Sequence, residues 1–389
     1  MFHTITPNIY AVHKAKITRH IHDKGGFLKK KCGTVLFYIG VMFMCIAILC
    51  FARQTAEGVK KALICTVEIL IPALFPFMVL SVLMIRSGFA QVFGRVLSPI
   101  TKGLFGLGGA AAPVIFLSLI GGFPVGAKGI RTLYNQGLID KTTARRMGVF
   151  CISSGPAFLI TAVGVRMLNS PQIGVILFVS QTMAVIILGV LARLIPIETN
   201  IKTQKQTTEP LGDAVVCSAY DAANSMIQMT ALVIMFFVVL EILSVLGVME
   251  FLKGLPFLPQ SISQNIPNIL LEVSAACSGL SSSGGVSPIA FAFAVGWGGL
   301  CVHFQIFGML GEIAPPKPLF FLFRLLNAVL SASITAVLLR IFQPVQNVFS
   351  NYTGVVSYAN ATHISGSIAL LITCVLFVLT LKIPTKRKN

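Results

Sequence analysis

Charge is scarce in this chain. Only 11% of its 389 residues are Asp, Glu, Lys or Arg, where a soluble domain carries about a quarter. Acids are the rarer sign, 12 against 30 Lys and Arg. Soluble domains cannot be covered with so little charge, which excludes a soluble enzyme, and the apolar content excludes disorder. The nine cysteines form no C-x-x-C pair, and most lie inside apolar runs, where a thiol behaves as a small hydrophobe. A secreted disulfide scaffold and a cysteine metal site are thereby excluded. Of six histidines only His303 sits near the apolar sequence, so no metal is expected. There is no Ser/His/Asp arrangement, no Walker loop and no Rossmann fingerprint; Gly106-Leu107-Gly108-Gly109 lacks a preceding strand. Neither catalysis nor a cofactor is expected.

What the chain does have is long apolar runs, at Thr34–Phe51, Ala62–Ile85, Met147–Val165, Ile173–Leu191, Ser225–Val248, Leu319–Leu339 and Ser367–Leu381. About 20 apolar residues cross the ~30 Å hydrocarbon core of a bilayer. The pattern predicts an all-α polytopic membrane protein whose first partner is the lipid bilayer. Lys and Arg collect at the chain ends and in loops, without interleaved aromatics, which favours the positive-inside rule over nucleic-acid binding. Residues 1–33 hold seven Lys and Arg, from Lys14 to Lys31, against the single acid Asp23. They read as a basic cytoplasmic segment, followed by a first span over 34–52 that no small-residue site would cleave.

Two further apolar stretches, Leu104–Leu133 and Ser287–Leu310, are broken by glycine and proline. Irregular backbone at membrane depth is tolerated only where protein or a water-filled cavity satisfies it. Both are therefore expected to be re-entrant hairpins, with tips at Gly121–Gly126 and Gly296–Gly299. The polar stretch 196–217 reads as a linker between a first repeat, 53–195, and a second, 218–384, with a basic tail at 385–389. Three echoes support duplication: Phe116–Gly122 with Phe293–Gly299, Ile160–Arg166 with Ile334–Arg340, and Gly88–Leu97 with Gly247–Leu255. Each half then reads as span, interfacial helix, re-entrant hairpin, span, span, so the two repeats are inverted. Paired discontinuous segments are the best sequence pointer to a transporter site. Seven crossings from an inside N-terminus leave the C-terminus outside, yet it ends in Lys386-Arg387-Lys388. Either one hairpin crosses or the first apolar run does not.

Ionisable residues in apolar runs are functional candidates because charge at mid-bilayer is expensive. Glu68, Glu241, Glu272 and Arg324 qualify; the alternative is that they lie near interfaces or pair with one another. The glycine tip beginning at Gly121 and Gly122, with Pro124 and Gly126, offers backbone N–H groups to an anion or strong dipole, and Lys128 would add a point charge. Simple close packing is the competing explanation. Ser153 and Ser154, before Gly155-Pro156, suggest a locally unwound span. His303 and Gln305 follow Gly298 and Gly299; a histidine beside aromatics is more often structural than a proton relay.

Several strings carry a likeness: Leu74-Phe75-Pro76-Phe77, Gly122-Phe123-Pro124-Val125-Gly126-Ala127-Lys128, Ser153-Ser154-Gly155-Pro156 and Gly298-Gly299-Leu300-Cys301-Val302-His303-Phe304-Gln305. Over roughly Thr34 to Leu339 the chain resembles the bacterial YlbJ-type sporulation integral membrane proteins, which have a Gate (nucleoside-recognition) domain related to concentrative nucleoside transporters. That resemblance implies two inverted hairpin repeats, a bacterial plasma-membrane location and a role in spore formation. It also implies a substrate site among Gly121–Lys128, Ser153–Pro156, the region from Glu272 through Gly279 to Ser283, and Gly298–Gln305. The expected partner is a small polar solute, nucleoside-like or anionic, with a second copy or other sporulation membrane proteins beside it. A structural membrane factor of spore formation that transports nothing is the alternative.

Overall fold

The computed structural model describes residues 35, 38–196 and 209–342, apart from 255 and 257. The basic segment 1–33, linker positions 197–208, the run Ser367–Leu381 and the tail 385–389 lie outside the described residues. The chain divides after Pro344, and the described residues all belong to the first unit.

Apolar sequence with no polar face has to be buried in protein or lipid, and here it folds wholly as helix; there is no strand among the described residues. Five helices are long and apolar enough to cross a membrane: Ala52–Arg86, Pro171–Leu194, Leu211–Val245, Pro288–Ile313 and Lys317–Phe342. This is a multi-pass membrane protein. The chain runs through α1 (Tyr38–Cys50), α2 (Ala52–Arg86), α3 (Phe89–Phe105), α4 (Ala112–Gly121), α5 (Phe123–Asn135), α6 (Lys141–Phe150), α7 (Ala157–Met167) and α8 (Pro171–Leu194). After the linker come α9 (Leu211–Val245), α10 (Val248–Lys253), α11 (Gln260–Ser263), α12 (Ile266–Leu271), α13 (Val273–Ser282), α14 (Pro288–Trp297), α15 (Gly299–Leu310) and α16 (Lys317–Phe342). Of the first apolar run, the described residues include helix α1.

Helices α2 and α9 run antiparallel, and ion pairs mark the two ends of that pair. Lys61 Nζ meets Glu241 Oε1 at 2.6 Å at one end; Arg86 Nη2 meets Asp221 Oδ2 at 2.8 Å at the other. Within α2 the turn Thr66–Leu70 is wound as π-helix just before Pro72. Proline supplies no N–H, and a wide turn takes up the hydrogen-bonding mismatch.

The first hairpin forms where expected. A Cβ on Gly126 would lie 2.9 Å from Ser118 Cβ, and one on Gly129 would lie 2.9 Å from Val114 Cγ1. Such contacts, with sequence separation growing away from Gly122, require α4 and α5 to be antiparallel. The reversal occurs at Gly122, whose φ of +88° is disfavoured for residues with a side chain. Its open end lies toward Asp221, which Lys128 approaches at 3.8 Å.

The second hairpin is not at Ser287–Leu310. That stretch is one 26-residue span, Pro288–Ile313, interrupted at Gly298. The hairpin is α12–α13 instead, with Glu272 at its tip: Gln264 Nε2 donates to Ser283 Oγ across its open end at 2.7 Å. Glycine clusters mark any helix interruption, and a left-handed residue at Gly298 lets the chain continue along its axis. Chain reversal comes from the extended backbone of Glu272, which carries no glycine signal. Two of the echoes therefore pair unlike elements: Phe293–Gly299 is half of a span, and Ile334–Arg340 belongs to the last span. The third joins α3 and α10, which hold the same place in the element order. Gln264 and Asn265 line a polar cavity together with Lys61 and Glu241. The open ends of the two hairpins thus lie toward opposite ends of the α2–α9 pair.

Helix α6 begins at Asp140, whose side chain accepts from the Thr142 and Thr143 amides. Partial burial opposes its charge, but hydrogen bonds from Thr142 and Thr143 outweigh burial and hold the carboxyl below its usual range. The cap therefore contributes fully above that range and is lost on acidification through the lowered value. Asp140→Ala is expected to lower stability at neutral pH by about 1 kcal/mol, with the difference vanishing in acid, as read by thermal unfolding in detergent across pH. A Cβ on Gly126 would lie 1.9 Å from the Cys151 carbonyl oxygen, whereas one on Gly103 meets nothing within 4 Å. Gly126→Ala should cost about 1–3 kcal/mol and Gly103→Ala should stabilise by up to about 1 kcal/mol in the same melts.

Candidate functional site

Both broken spans open their backbone at the same depth as a hairpin tip. Between α6 and α7, residues Cys151–Gly155 leave the helix and are fully buried. The Gly122 tip rests on them: a Cβ on Gly155 would stand 2.4 Å from the Ile120 carbonyl oxygen, and one on Gly122 would stand 3.5 Å from the Gly155 amide. Between α14 and α15 the pattern recurs. A Cβ on Gly299 would meet the Glu272 amide and the Leu271 carbonyl oxygen, each at 2.9 Å. Each hairpin tip is thus pressed against the break of one span, with no room for a side chain.

The carbonyls freed by the breaks converge on Arg324 of α16, which is 1% exposed. Its Nη1 donates to Ile152 O at 2.8 Å, its Nε to Trp297 O at 3.3 Å, and its Nη2 to Gly296 O. One guanidinium therefore ties the first break to the second. Asn327 Nδ2 adds a bond to Gly296 O at 3.0 Å, and His303 Nε2 donates to Trp297 O at 2.9 Å. The carbonyl can only accept, so Nε2 carries the His303 proton. The ring stands edge-on to Trp297, Phe320 and Phe321. Arg324 has no carboxylate within 4.0 Å among the described residues; the carbonyl end of α14 supplies its negative counterpart.

Between the tips lies a cavity of about 30 Å³, lined among others by Gly122, Ser154, Glu272, Ser274 and Gln305. That is space for one or two water molecules. Glu272 is 2% exposed, and its Oε2 accepts the Ala275 amide at 2.6 Å, capping α13. The hydroxyls of Ser154 and Ser274 are buried; Ser154 Oγ has no protein partner, and Ser274 Oγ lies beside the Glu272 carboxylate and the Cys65 thiol. The Gln305 amide nitrogen donates to Cys301 Sγ at 3.2 Å.

Of the residues expected in a site, Gly122, Pro124, Ser154, Glu272 and Gln305 come together around this cavity. Gly121, Gly126, Gly298 and Gly299 are outside its lining and pack against Val125, Cys151, Arg324 and Glu272 respectively. Ser153 is buried and bonds to Ser154 O at 3.4 Å, outside the lining. His303 holds the second break and faces aromatics rather than the cavity. Gly279 packs on Asn265 and Asn268 of the hairpin base. Lys128 is not at the tip: it lies six residues along α5, about 9 Å away by helical rise, and faces Asp221. A glycine tip leading into a helix placed Lys128 too close because α5 is regular from Phe123 onward. Ser274 falls inside the expected region Glu272–Ser283 but was not singled out; its signal is a serine two places after a buried acid at a helix start. Glu68 is exposed beside Arg166 in a separate cavity of about 220 Å³, and Glu241 pairs with Lys61.

No family model matches the chain, and no solved structure matches it. The chain is similar to a sporulation integral membrane protein. That protein is YlbJ of Bacillus subtilis (strain 168), 26% identical over 338 residues, a match covering 78% of this chain and 82% of the relative.

Removing Arg324 leaves the buried Ile152 carbonyl of the first break without a donor, at about 1–3 kcal/mol, strips one of two donors from Trp297 O and from Gly296 O, and cuts the tie between the breaks. Arg324→Leu is expected to abolish folding or lower the unfolding midpoint far more than Arg340→Leu does, as measured by thermal unfolding of the purified proteins.

Proposed function

We propose that this chain is a transporter-like membrane protein acting in spore formation, with a mid-membrane site for a small polar solute between two hairpin tips. The single observation that carries the reading is the pairing of each tip with the break of a span around one shared cavity. Broken helices whose irregular backbone meets at a central cavity are the usual construction of membrane transport sites. The likeness to a sporulation membrane protein supports the cellular role, and the Gate-type resemblance of the P-V-G-A-K and H-F-Q strings supports a nucleoside-like solute.

In this reading the element order, repeated with hairpins entering from opposite ends, is an inverted duplication. In this conformation the cavity, at about 30 Å³, admits water and nothing larger. Parting the Gly122 tip from Gly155 opens the cavity toward Asp221; parting Glu272 from Gly299 opens it toward Lys61 and Glu241. The second route leads into the polar cavity of about 460 Å³ beneath Asn265 and Gly279. Ser154, Ser274 and Gln305 offer neutral hydrogen bonds to the solute. Glu272, with no basic partner within 4.0 Å among the described residues, accepts a solute hydroxyl or amine, or a coupling proton. Lys128 belongs to the Arg86–Asp221 ion network rather than to the site. That end, with Arg131, Lys141, Arg145 and Arg193, is cytoplasmic by the positive-inside rule. The protein performs no chemistry on its solute.

The test uses a spore-forming host lacking its own copy of the gene, complemented with wild type, Glu272→Gln or Ser154→Ala/Ser274→Ala. Both variants should reach the membrane and melt near wild type, yet reduce spore yield at least about tenfold. Purified wild type, screened by thermal shift against nucleosides and small polar metabolites, should be stabilised by at least one solute that leaves Glu272→Gln unmoved. Full spore yield from both variants, with no stabilising solute, would instead identify a structural membrane factor.

A further inference from the structure

We propose that the C-terminal end of α3, with α6 and α8, binds the phosphate of an anionic phospholipid. Two arginines meet there, with no acid beside them among the described residues. Arg146 of α6 is 4% exposed; its Nη2 donates to Phe105 O, and its Nε has no protein partner. Arg193 at the end of α8 is exposed, and its Nη1 donates to Gly103 O at 2.8 Å. Both crowd Gly106, where a Cβ would lie 3.3 Å from Arg146 Nη2 and 3.5 Å from Arg193 Nε. Neither has a carboxylate within 4.0 Å among the described residues.

The bland explanation is that both guanidiniums cap the carbonyl end of α3. A helix C-terminus, however, carries only about half a negative charge. Set against two guanidiniums, with Lys102 in the last helical turn adding a third cation, most of the positive charge remains uncompensated. Each of these bonds uses one of the five donors that a guanidinium offers, so donors remain for a phosphate. The local chemistry asks for an anion.

The helix itself says where that anion comes from. The segment Gly94–Phe105 meets Gly109–Gly121 at 100°, so it crosses the hairpin axis and lies along the membrane surface. Phe89, Val92, Val96, Ile100 and Leu104, three or four residues apart, are all exposed, Val96 to 70%. Gly94, Thr101 and Phe105 are buried against the protein, and Arg95 and Lys102, one heptad apart, form a cationic strip between these two faces. A surface helix with an apolar stripe beside a basic strip seats the stripe in the acyl region and the cations among headgroups. The Arg146–Arg193 pair lies at the end of that strip, at headgroup level, on the side proposed as cytoplasmic. Basic pockets between helices on that side are suited to anionic headgroups. A lipid supplies phosphate and acyl chain together, which a free anion does not.

The full-length protein in neutral detergent is titrated with dioleoylphosphatidylglycerol or dioleoylphosphatidylcholine, and bound lipid is counted by native mass spectrometry. Wild type should prefer phosphatidylglycerol. Arg193→Ala, at an exposed position that folding tolerates, should weaken that preference about fivefold, and Arg146→Gln should do so where it folds. Lys253→Ala, toward the opposite end, should leave it unchanged. No preference in wild type, or a preference kept in Arg193→Ala, overturns the site. An equal loss in Lys253→Ala also overturns it by showing general surface attraction. Inorganic phosphate displacing the lipid at matched concentration overturns the lipid as the source.

Discussion

Everything at the centre of this molecule depends on how peptide carbonyls are satisfied where helices stop inside the membrane. Hydrocarbon offers no donors, so each interruption obliges the fold to supply its own. Here Arg324 serves both interruptions from a single position on α16, with Asn327 and His303 completing the second. A charge in a low-dielectric interior is ordinarily a liability. Surrounded by oriented carbonyls at the end of α14, it becomes the means by which two spans are held in register.

The same arrangement explains why glycines cluster where they do. At Gly122 and Gly299 the backbone adopts a conformation that side chains disfavour, and at Gly126, Gly155 and again Gly299 contact is a reason. Chain passes against chain at distances that leave no room for a methyl group. These contacts seat each hairpin tip on its break.

Much of this was legible from residues alone. Uncharged runs of about 20 residues announce spans because hydrocarbon thickness sets their length, and the Gly121–Gly126 cluster located the first hairpin. Ser153-Ser154-Gly155-Pro156 marked the first break correctly, since proline and glycine rarely share a continuous turn. The second half misled for a physical reason. Gly298-Gly299 interrupts a helix without turning the chain, whereas the true reversal at Glu272 is built from an acid capping α13, a signal that looks like an ordinary buried carboxylate. Lys128 was drawn toward the tip by proximity in sequence, while helical rise carries it away. The bridging role of Arg324 could not be read at all, because Ile152 lies 172 positions earlier in the chain.

Trp297, the sole tryptophan in the chain, stands at the second break, and its indole nitrogen donates to Leu270 O in the opposing hairpin at 3.3 Å. Indole fluorescence shifts to longer wavelength as the ring becomes hydrated. The protein thus carries an intrinsic optical reporter at the seam between the second hairpin and its span, and unlabelled material suffices to watch that seam part.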